Sequence, residues 1–71
     1  MSKEHLVRLL RQIRRDANLS QVELAARVGE TQSYVSKYES GEQRLDLLEI
    51  EKICRAVGVP LRAFIDRYID H

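Results

Sequence analysis

The sequence has few of the residues that would indicate a disulfide, a linker or a membrane span. It contains one cysteine, one proline and three glycines among 71 residues. The single cysteine, Cys54, excludes an internal disulfide and a cysteine-based metal site, and it fits a reducing compartment. No run approaches the roughly 18 consecutive apolar residues of a membrane helix. We therefore expect a cytoplasmic protein.

The sequence also lacks the residues that catalysis or metal binding would need. His5 and His71 lie near opposite ends of the chain, with no cluster of Asp or Cys at ligand spacing beside either. No nucleophile elbow, phosphate loop or Ser-His-Asp order can be assembled from the sequence. We expect no enzyme activity, no metal and no cofactor. The net charge of +1 is too small to indicate nucleic-acid binding by itself.

What the chain does contain is enough apolar surface for one small domain. Its apolar fraction of 44% over 71 residues supports one compact core, whereas two cores would each bury too little surface. Neither a Gly- or Ser-rich linker nor an internal repeat interrupts it. We expect residues 1–71 to form a single domain.

Two helices are predicted in the first part of the chain. An amphipathic stripe at i, i+3, i+4 and i+7 predicts a helix over about residues 3–16, through Leu6, Leu9, Leu10 and Ile13. Ser20 and Glu23 have the spacing of a capping box, which predicts that a second helix starts there. Gly29 is placed to end it in a left-handed conformation.

A third helix follows closely on the second. Thr31 can cap a helix that runs from Gln32 to about Ser40 and ends at Gly41. One of its sides is polar and carries Gln32, Ser33, Ser36 and Lys37. Two short helices joined by a few residues that include a glycine have the form of a helix-turn-helix, with its core at about residues 20–40.

Two more helices complete an all-α, five-helix prediction. Asp46 and Glu49 repeat the capping spacing and begin a fourth helix over about residues 46–57. Its apolar stripe consists of Ile50, Ile53, Cys54 and Val57. Pro60 suits the start of a fifth helix, whose apolar residues at the same spacing are Leu61, Phe64, Ile65 and Tyr68. No segment alternates as a half-buried strand would.

The central segments resemble a known family. The stretches LSQVELAARVG from Leu19 and TQSYVSKYESG from Thr31 are similar to the phage repressor and Cro family of helix-turn-helix proteins, often called the Xre family. The resemblance covers roughly residues 6–66, because Leu47 to Phe64 is similar to that family's fourth and fifth helices. It implies a lambda-repressor-like domain, double-stranded DNA as partner, and a bacterial or phage origin.

The resemblance assigns the base-reading residues to the third helix, which in this family lies in the major groove. It implies that Gln32 and Ser33 contact base edges. The carboxamide of Gln32 can pair bidentately with N6 and N7 of adenine, which suggests an A·T pair in each half-site. Ser36 and Lys37 lie one turn further along the same side. For Lys37 a guanine and a phosphate both remain open as targets.

The resemblance also implies contacts with the DNA backbone. Gln21 matches a family glutamine that binds a phosphate and braces the first glutamine of the recognition helix, here Gln32. The segment after the third helix corresponds to a second backbone contact, through Ser40, Gln43 and Arg44. For Tyr34 the alternatives stay open: its ring packs on the second helix, its hydroxyl reaches a phosphate, or its ring contacts a thymine methyl group.

Two further assignments concern packing. By resemblance, Arg14 and Glu39 form a structural ion pair that ties the recognition helix to the first helix. The fifth helix has more apolar positions than one side needs, so we expect part of it to form a dimer interface. The candidates are Leu61, Phe64, Ile65, Tyr68 and Ile69. The alternative is that these residues only close the core.

The sequence thus predicts a transcriptional regulator, a repressor or controller protein, that binds a palindromic operator as a homodimer. A different function remains as the alternative. The chain would then be an antitoxin or adaptor that mainly binds a partner protein of unknown identity, with autoregulatory DNA binding.

Overall fold

The computed structural model describes residues 2–70 and contains five α-helices, as predicted. They are α1 Lys3–Asp16, α2 Gln21–Val28, α3 Gln32–Glu39, α4 Leu47–Val57 and α5 Leu61–Ile69. No strand occurs within this described part. His71, one of the two histidines that the sequence analysis considered as a metal ligand, lies outside it.

Side chains at the helix starts explain where two of the helices begin. The backbone N–H of Glu23 donates to Ser20 Oγ at 3.1 Å, and the backbone N–H of Ser20 donates to Glu23 Oε1 at 2.9 Å. The backbone bond from Ser20 lowers the pKa of the Glu23 carboxyl, because the ionised form accepts it. Asp46 and Glu49 form the same reciprocal pair at the start of α4. Each capping box satisfies N–H groups that a helix start leaves unbonded.

The ends of α2 and α4 depend on glycine. Gly29 and Gly58 have φ angles of +71° and +78°, in the left-handed region that side chains with a Cβ disfavour. The N–H groups of the next residues, Glu30 and Val59, donate back to carbonyls of the finished helix at 2.9 Å. Both helices therefore end abruptly, and the chain turns at once into the next element.

The core lies where the five helices meet. Its most deeply buried side chains include Leu10, Ile13, Leu24, Val35, Ile53 and Phe64. Helix α5 packs on both α1 and α4, so its inward side is covered by two helices. Phe64 is only 1% exposed. This corrects the expectation that Phe64 belongs to a dimer interface, because the core of its own domain already buries the ring.

The packing leaves one side of α3 exposed. Val35, Tyr38 and Glu39 face inward and are buried, whereas Gln32 and Ser33 are exposed. Burial raises the pKa of the Cys54 thiol, as expected for a core residue on α4. No helix within residues 2–70 is long and apolar enough to cross a bilayer. The same residues contain no group of three or more His, Cys, Asp or Glu arranged to hold a metal ion.

Loss of the α2 capping box should destabilise the domain measurably. We expect Ser20→Ala to lower the free energy of unfolding by about 1 kcal/mol, because the N–H of Glu23 loses its acceptor at a helix start. Ser33→Ala, at an exposed position in the first turn of α3, is the matched control and should change it by less than about 0.5 kcal/mol. Urea denaturation followed by circular dichroism measures both. Equal effects would contradict the role given to the box.

Candidate nucleic-acid interface

The exposed side of α3 carries polar side chains, and the start of the helix is capped. Thr31 is the N-cap, and its hydroxyl oxygen accepts from the N–H of Tyr34 at 3.1 Å. Gln32, Ser33 and Lys37 are exposed, and Ser36 is half-buried beside them. The four residues that the sequence analysis assigned to base contacts therefore share one surface.

A buried ion pair anchors the other end of α3. Arg14 Nε donates to Glu39 Oε2 at 2.8 Å, and Arg14 Nη2 donates to Oε1 at 3.0 Å. Arg14 Nη1 donates to the carbonyl of Leu19 at 2.7 Å. Arg14 and Glu39 are only 8% and 2% exposed. The hydrogen bonds to Glu39 raise the pKa of Arg14, and the bidentate geometry joins α1, the α1–α2 turn and α3 at one point.

Two glutamines extend this ion pair to the surface. Gln21 Nε2 donates to Glu39 Oε1 at 3.1 Å, and Gln32 Nε2 donates to Gln21 Oε1 at 2.8 Å. An ionised carboxylate only accepts hydrogen bonds, so Gln21 must turn its NH2 group toward Glu39. Its oxygen then faces Gln32, which must also present its NH2 group. The buried charge thereby determines the orientation of both amides.

This network leaves unused the amide groups of Gln32 and Gln21 that could bind DNA. Gln32 keeps its Oε1 and one of two N–H groups unused by the network. Those are the acceptor and donor that pair with adenine N6 and N7 in the major groove. Gln21 likewise retains a second N–H for a phosphate oxygen. Both glutamines can therefore bind DNA without breaking the network.

In the structure the Tyr34 side chain contacts α3 and α4. Its hydroxyl donates to Glu49 Oε2 at 3.2 Å, and its ring packs edge-to-face on Tyr38 with centroids 5.6 Å apart. Burial and the charge of Glu49 raise the pKa of Tyr34 to about 12. The hydroxyl proton is donated to Glu49, so a contact of this group with a phosphate would have to replace that hydrogen bond. Tyr34 joins the first turn of α3 to the capping box of α4.

The segment after α3 is folded around one carbonyl group. The backbone N–H groups of Glu42 and Gln43 donate to the carbonyl of Lys37 at 3.0 and 3.3 Å. Ser40 Oγ donates to the same carbonyl at 3.0 Å, so Ser40 has no hydroxyl proton left for a phosphate. Gln43 and Arg44 are exposed. Of the three predicted backbone contacts in this segment, these two keep their side-chain donors available.

The candidates on α5 divide into two groups. Tyr68 stacks on His5 with ring centroids 5.2 Å apart, and its hydroxyl donates to the carbonyl of Ser2 at 3.3 Å. It therefore ties α5 to the start of α1. Leu61 and Ile65 are half-buried, and Ile69 is 62% exposed. These three, four residues apart along one side of α5, remain available to a partner.

The start of α4 carries two exposed apolar residues that were not predicted from the sequence. Leu47 and Leu48, at the start of α4, are 59% and 75% exposed. The available signal was the position of Leu48, which lies off the stripe that carries Ile50 and Ile53. Neighbouring apolar residues that are exposed on a helix are a candidate contact surface for a partner.

Removal of one partner of the buried ion pair should destabilise the domain more than removal of both partners. We expect Arg14→Met to lower the free energy of unfolding by about 3 to 5 kcal/mol, because buried Glu39 then keeps only the half-exposed Arg11, 3.7 Å from its Oε1, as a countercharge. The double variant Arg14→Met/Glu39→Leu should recover most of that loss, since no charge remains inside. Chemical denaturation of both variants provides the comparison. A double variant no more stable than the single one would show that packing, and not charge pairing, determines the loss.

Comparisons with known proteins agree with this geometry. A helix-turn-helix family model matches residues 10–64. A solved XRE-family like protein from Pseudomonas syringae pv. tomato str. DC3000 is 40% identical, with a TM-score of 0.89 over 96% of this chain and 83% of that one. The clp gene regulator ClgR from Corynebacterium glutamicum is 24% identical, with a TM-score of 0.84 over 96% of this chain and 72% of that one, and shows a shared fold.

A comparison with curated proteins gave no match. The family model covers most of the chain, and the Pseudomonas structure shares both its sequence and its fold. The chain therefore belongs to the XRE class of helix-turn-helix proteins, a family of DNA-binding transcriptional regulators that are generally not enzymes.

Proposed function

We propose that this chain binds a palindromic DNA operator as a homodimer and acts as a repressor or controller at a promoter. The observation that supports the proposal most directly is the hydrogen-bonded path from buried Glu39 through Gln21 to exposed Gln32. A binding surface whose side chains are already oriented loses less conformational entropy when its partner arrives.

Base recognition is assigned to the exposed side of α3. Gln32 reads an A·T pair through its free oxygen and N–H group. Ser33 and Ser36 offer hydroxyls that suit several bases, and Lys37 has the reach for a guanine or a phosphate. Each half-site would then be read by one copy of α3, inserted in the major groove.

Phosphate binding is assigned to the two ends of this surface. Gln21 stands in the first turn of α2, where free N–H groups and the helix dipole favour an anion. Gln43 and Arg44 lie beyond the other end of α3. The net charge of only +1 means that a few local contacts, rather than an overall basic surface, must supply the electrostatic attraction.

The proposed dimer interface consists of Leu61, Ile65 and Ile69 on α5. One domain with a few base contacts covers only half an operator, and specific recognition in a genome needs more contacts than that. A two-fold dimer doubles them and matches a palindrome. Ile69 is the most exposed of the three and should therefore lose the most water-accessible apolar area on dimerisation.

The first test is selection of bound sites from a random duplex pool near 150 mM salt, where non-specific phosphate binding is weakened. We expect a palindrome with half-sites about 10 bp apart. Gln32→Ala should relax the preference at one A·T pair, at a cost of about 1 to 3 kcal/mol. Gln12→Ala, the same substitution at an exposed position on α1, should leave the motif unchanged.

Two results of that selection would contradict the proposal. Recovery of no motif would refute a stand-alone regulator and direct attention to the antitoxin or adaptor alternative. An unchanged motif with Gln32→Ala would refute the role of that residue while leaving the operator in place.

The oligomeric state can be tested with a pair of matched charge insertions. We expect Ile69→Asp to yield a monomer in sedimentation velocity, because two carboxylates would meet across the two-fold axis. It should also weaken binding to the full palindrome more than to a half-site. Leu48→Asp, at an apolar position on α4 that is 75% exposed against 62% for Ile69, should remain dimeric. The reverse result would move the interface to the start of α4.

A further inference from the structure

A cleft of about 310 Å³ lies beside the surface proposed for DNA. The start of α1 forms one wall, the segment between α3 and α4 forms another, and Tyr68 of α5 closes one side. Its apolar walls are Leu6, Val7, Leu10 and Leu45. Specific sites for small molecules begin at about this volume and combine apolar walls with a few polar groups.

One buried polar group in the wall lacks a partner. Tyr38 lines the cleft and is only 1% exposed, yet its hydroxyl has no hydrogen-bond partner among the described residues. A buried hydroxyl without a partner costs free energy, so native proteins rarely leave one. Burial raises the pKa of Tyr38 well above its ordinary value, so the group stays protonated and can donate to an acceptor.

Positive charge lies around the same cleft. Lys3 and Arg44 both line it, one from the start of α1 and the other from the segment after α3. The side chain of Lys3 also packs along that segment, because a Cβ added at Gly41 would lie 3.3 Å from Lys3 Cε. An apolar interior with a hydroxyl donor and two cations suits a molecule with an apolar body and an anionic head.

We propose that this cleft binds a small monocarboxylate with an apolar body, such as a medium-chain fatty acid, and that the bound carboxylate accepts a hydrogen bond from the Tyr38 hydroxyl and pairs with Arg44. An apolar cavity of about 150 Å³ holds benzene, so this cleft has room for a ligand of roughly ten non-hydrogen atoms. Because Arg44 is also assigned to a phosphate, an occupied cleft weakens DNA binding. That second step rests on the proposed function.

Binding to the cleft is tested on the free protein with octanoate as the probe. We expect saturable chemical-shift changes at Val7, Tyr38 and Leu45 in a titration followed by nuclear magnetic resonance. Octanol, which has the same apolar chain without the charge, should bind more weakly. Absence of saturable octanoate binding, or equal binding of octanol, would overturn the assignment of a carboxylate site.

Two variants locate the probe. Val7→Trp fills the cleft and should abolish octanoate binding. Tyr38→Phe removes only the hydroxyl and should weaken octanoate binding about two- to tenfold. Its melting temperature without octanoate should not fall, since the hydroxyl has no partner to lose. Unchanged binding in both variants would place octanoate elsewhere and refute the site.

The effect on DNA is measured separately by titrating labelled duplex with and without saturating octanoate. Near 150 mM salt we expect the affinity to fall roughly fivefold per subunit, the value of one lost phosphate contact. Val7→Trp should bind DNA normally and should not respond to octanoate. Normal DNA binding with no octanoate effect would refute the coupling. Absence of DNA binding would instead refute the proposed function, while the titration of free protein still tests the cleft.

Discussion

The ion pair between Arg14 and Glu39 brings two charges into an interior where either alone would be costly. Each partner therefore holds the other in place. Because Arg14 also donates to the carbonyl of Leu19, the pair positions the turn before α2 together with the end of α3. Relative placement of α2 and α3 is what makes a helix-turn-helix, and here it rests on this hydrogen-bonded ion pair as well as on apolar packing. Each of the three nitrogens of the Arg14 guanidinium donates a hydrogen bond, so charge and geometry act together at this point.

Helix α3 is fixed at both ends by polar contacts of different kinds. Its last residue, Glu39, is tied to α1, and Tyr34 in its first turn is tied through Glu49 to α4. Glu49 has a second task, because its other oxygen accepts from the N–H of Asp46 in the α4 capping box. Helix α3 and the start of α4 are thus both held by Glu49. A rigid element that carries side chains toward a ligand orients them more accurately than a loop would.

Most of the fold could be predicted from local signals, whereas part of the interface could not. Capping pairs and helix-ending glycines placed the starts and ends of α2 and α4, because those signals act within a few residues. On α5, periodicity identified an apolar helix but could not divide it between core and surface. Phe64 is covered because α5 packs on two helices at once, and that is a property of the assembled fold. The contact from Tyr34 to Glu49 escaped prediction for the same reason, since 15 positions separate the residues.

The hydrogen-bonded path from Gln32 through Gln21 to Glu39 limits which residues of this surface can change during evolution. Gln32 shares its amide with the scaffold, so another residue there would also release Gln21 and leave Glu39 with one donor fewer. Ser33 and Lys37 protrude from the same helix without belonging to that path. If α3 reads bases as proposed, the base pair read by Gln32 is coupled to the stability of the domain, whereas the base pairs read by Ser33 and Lys37 can change independently of it. Under that proposal, relatives that retain the glutamine path would first diverge at the base pairs that face Ser33 and Lys37.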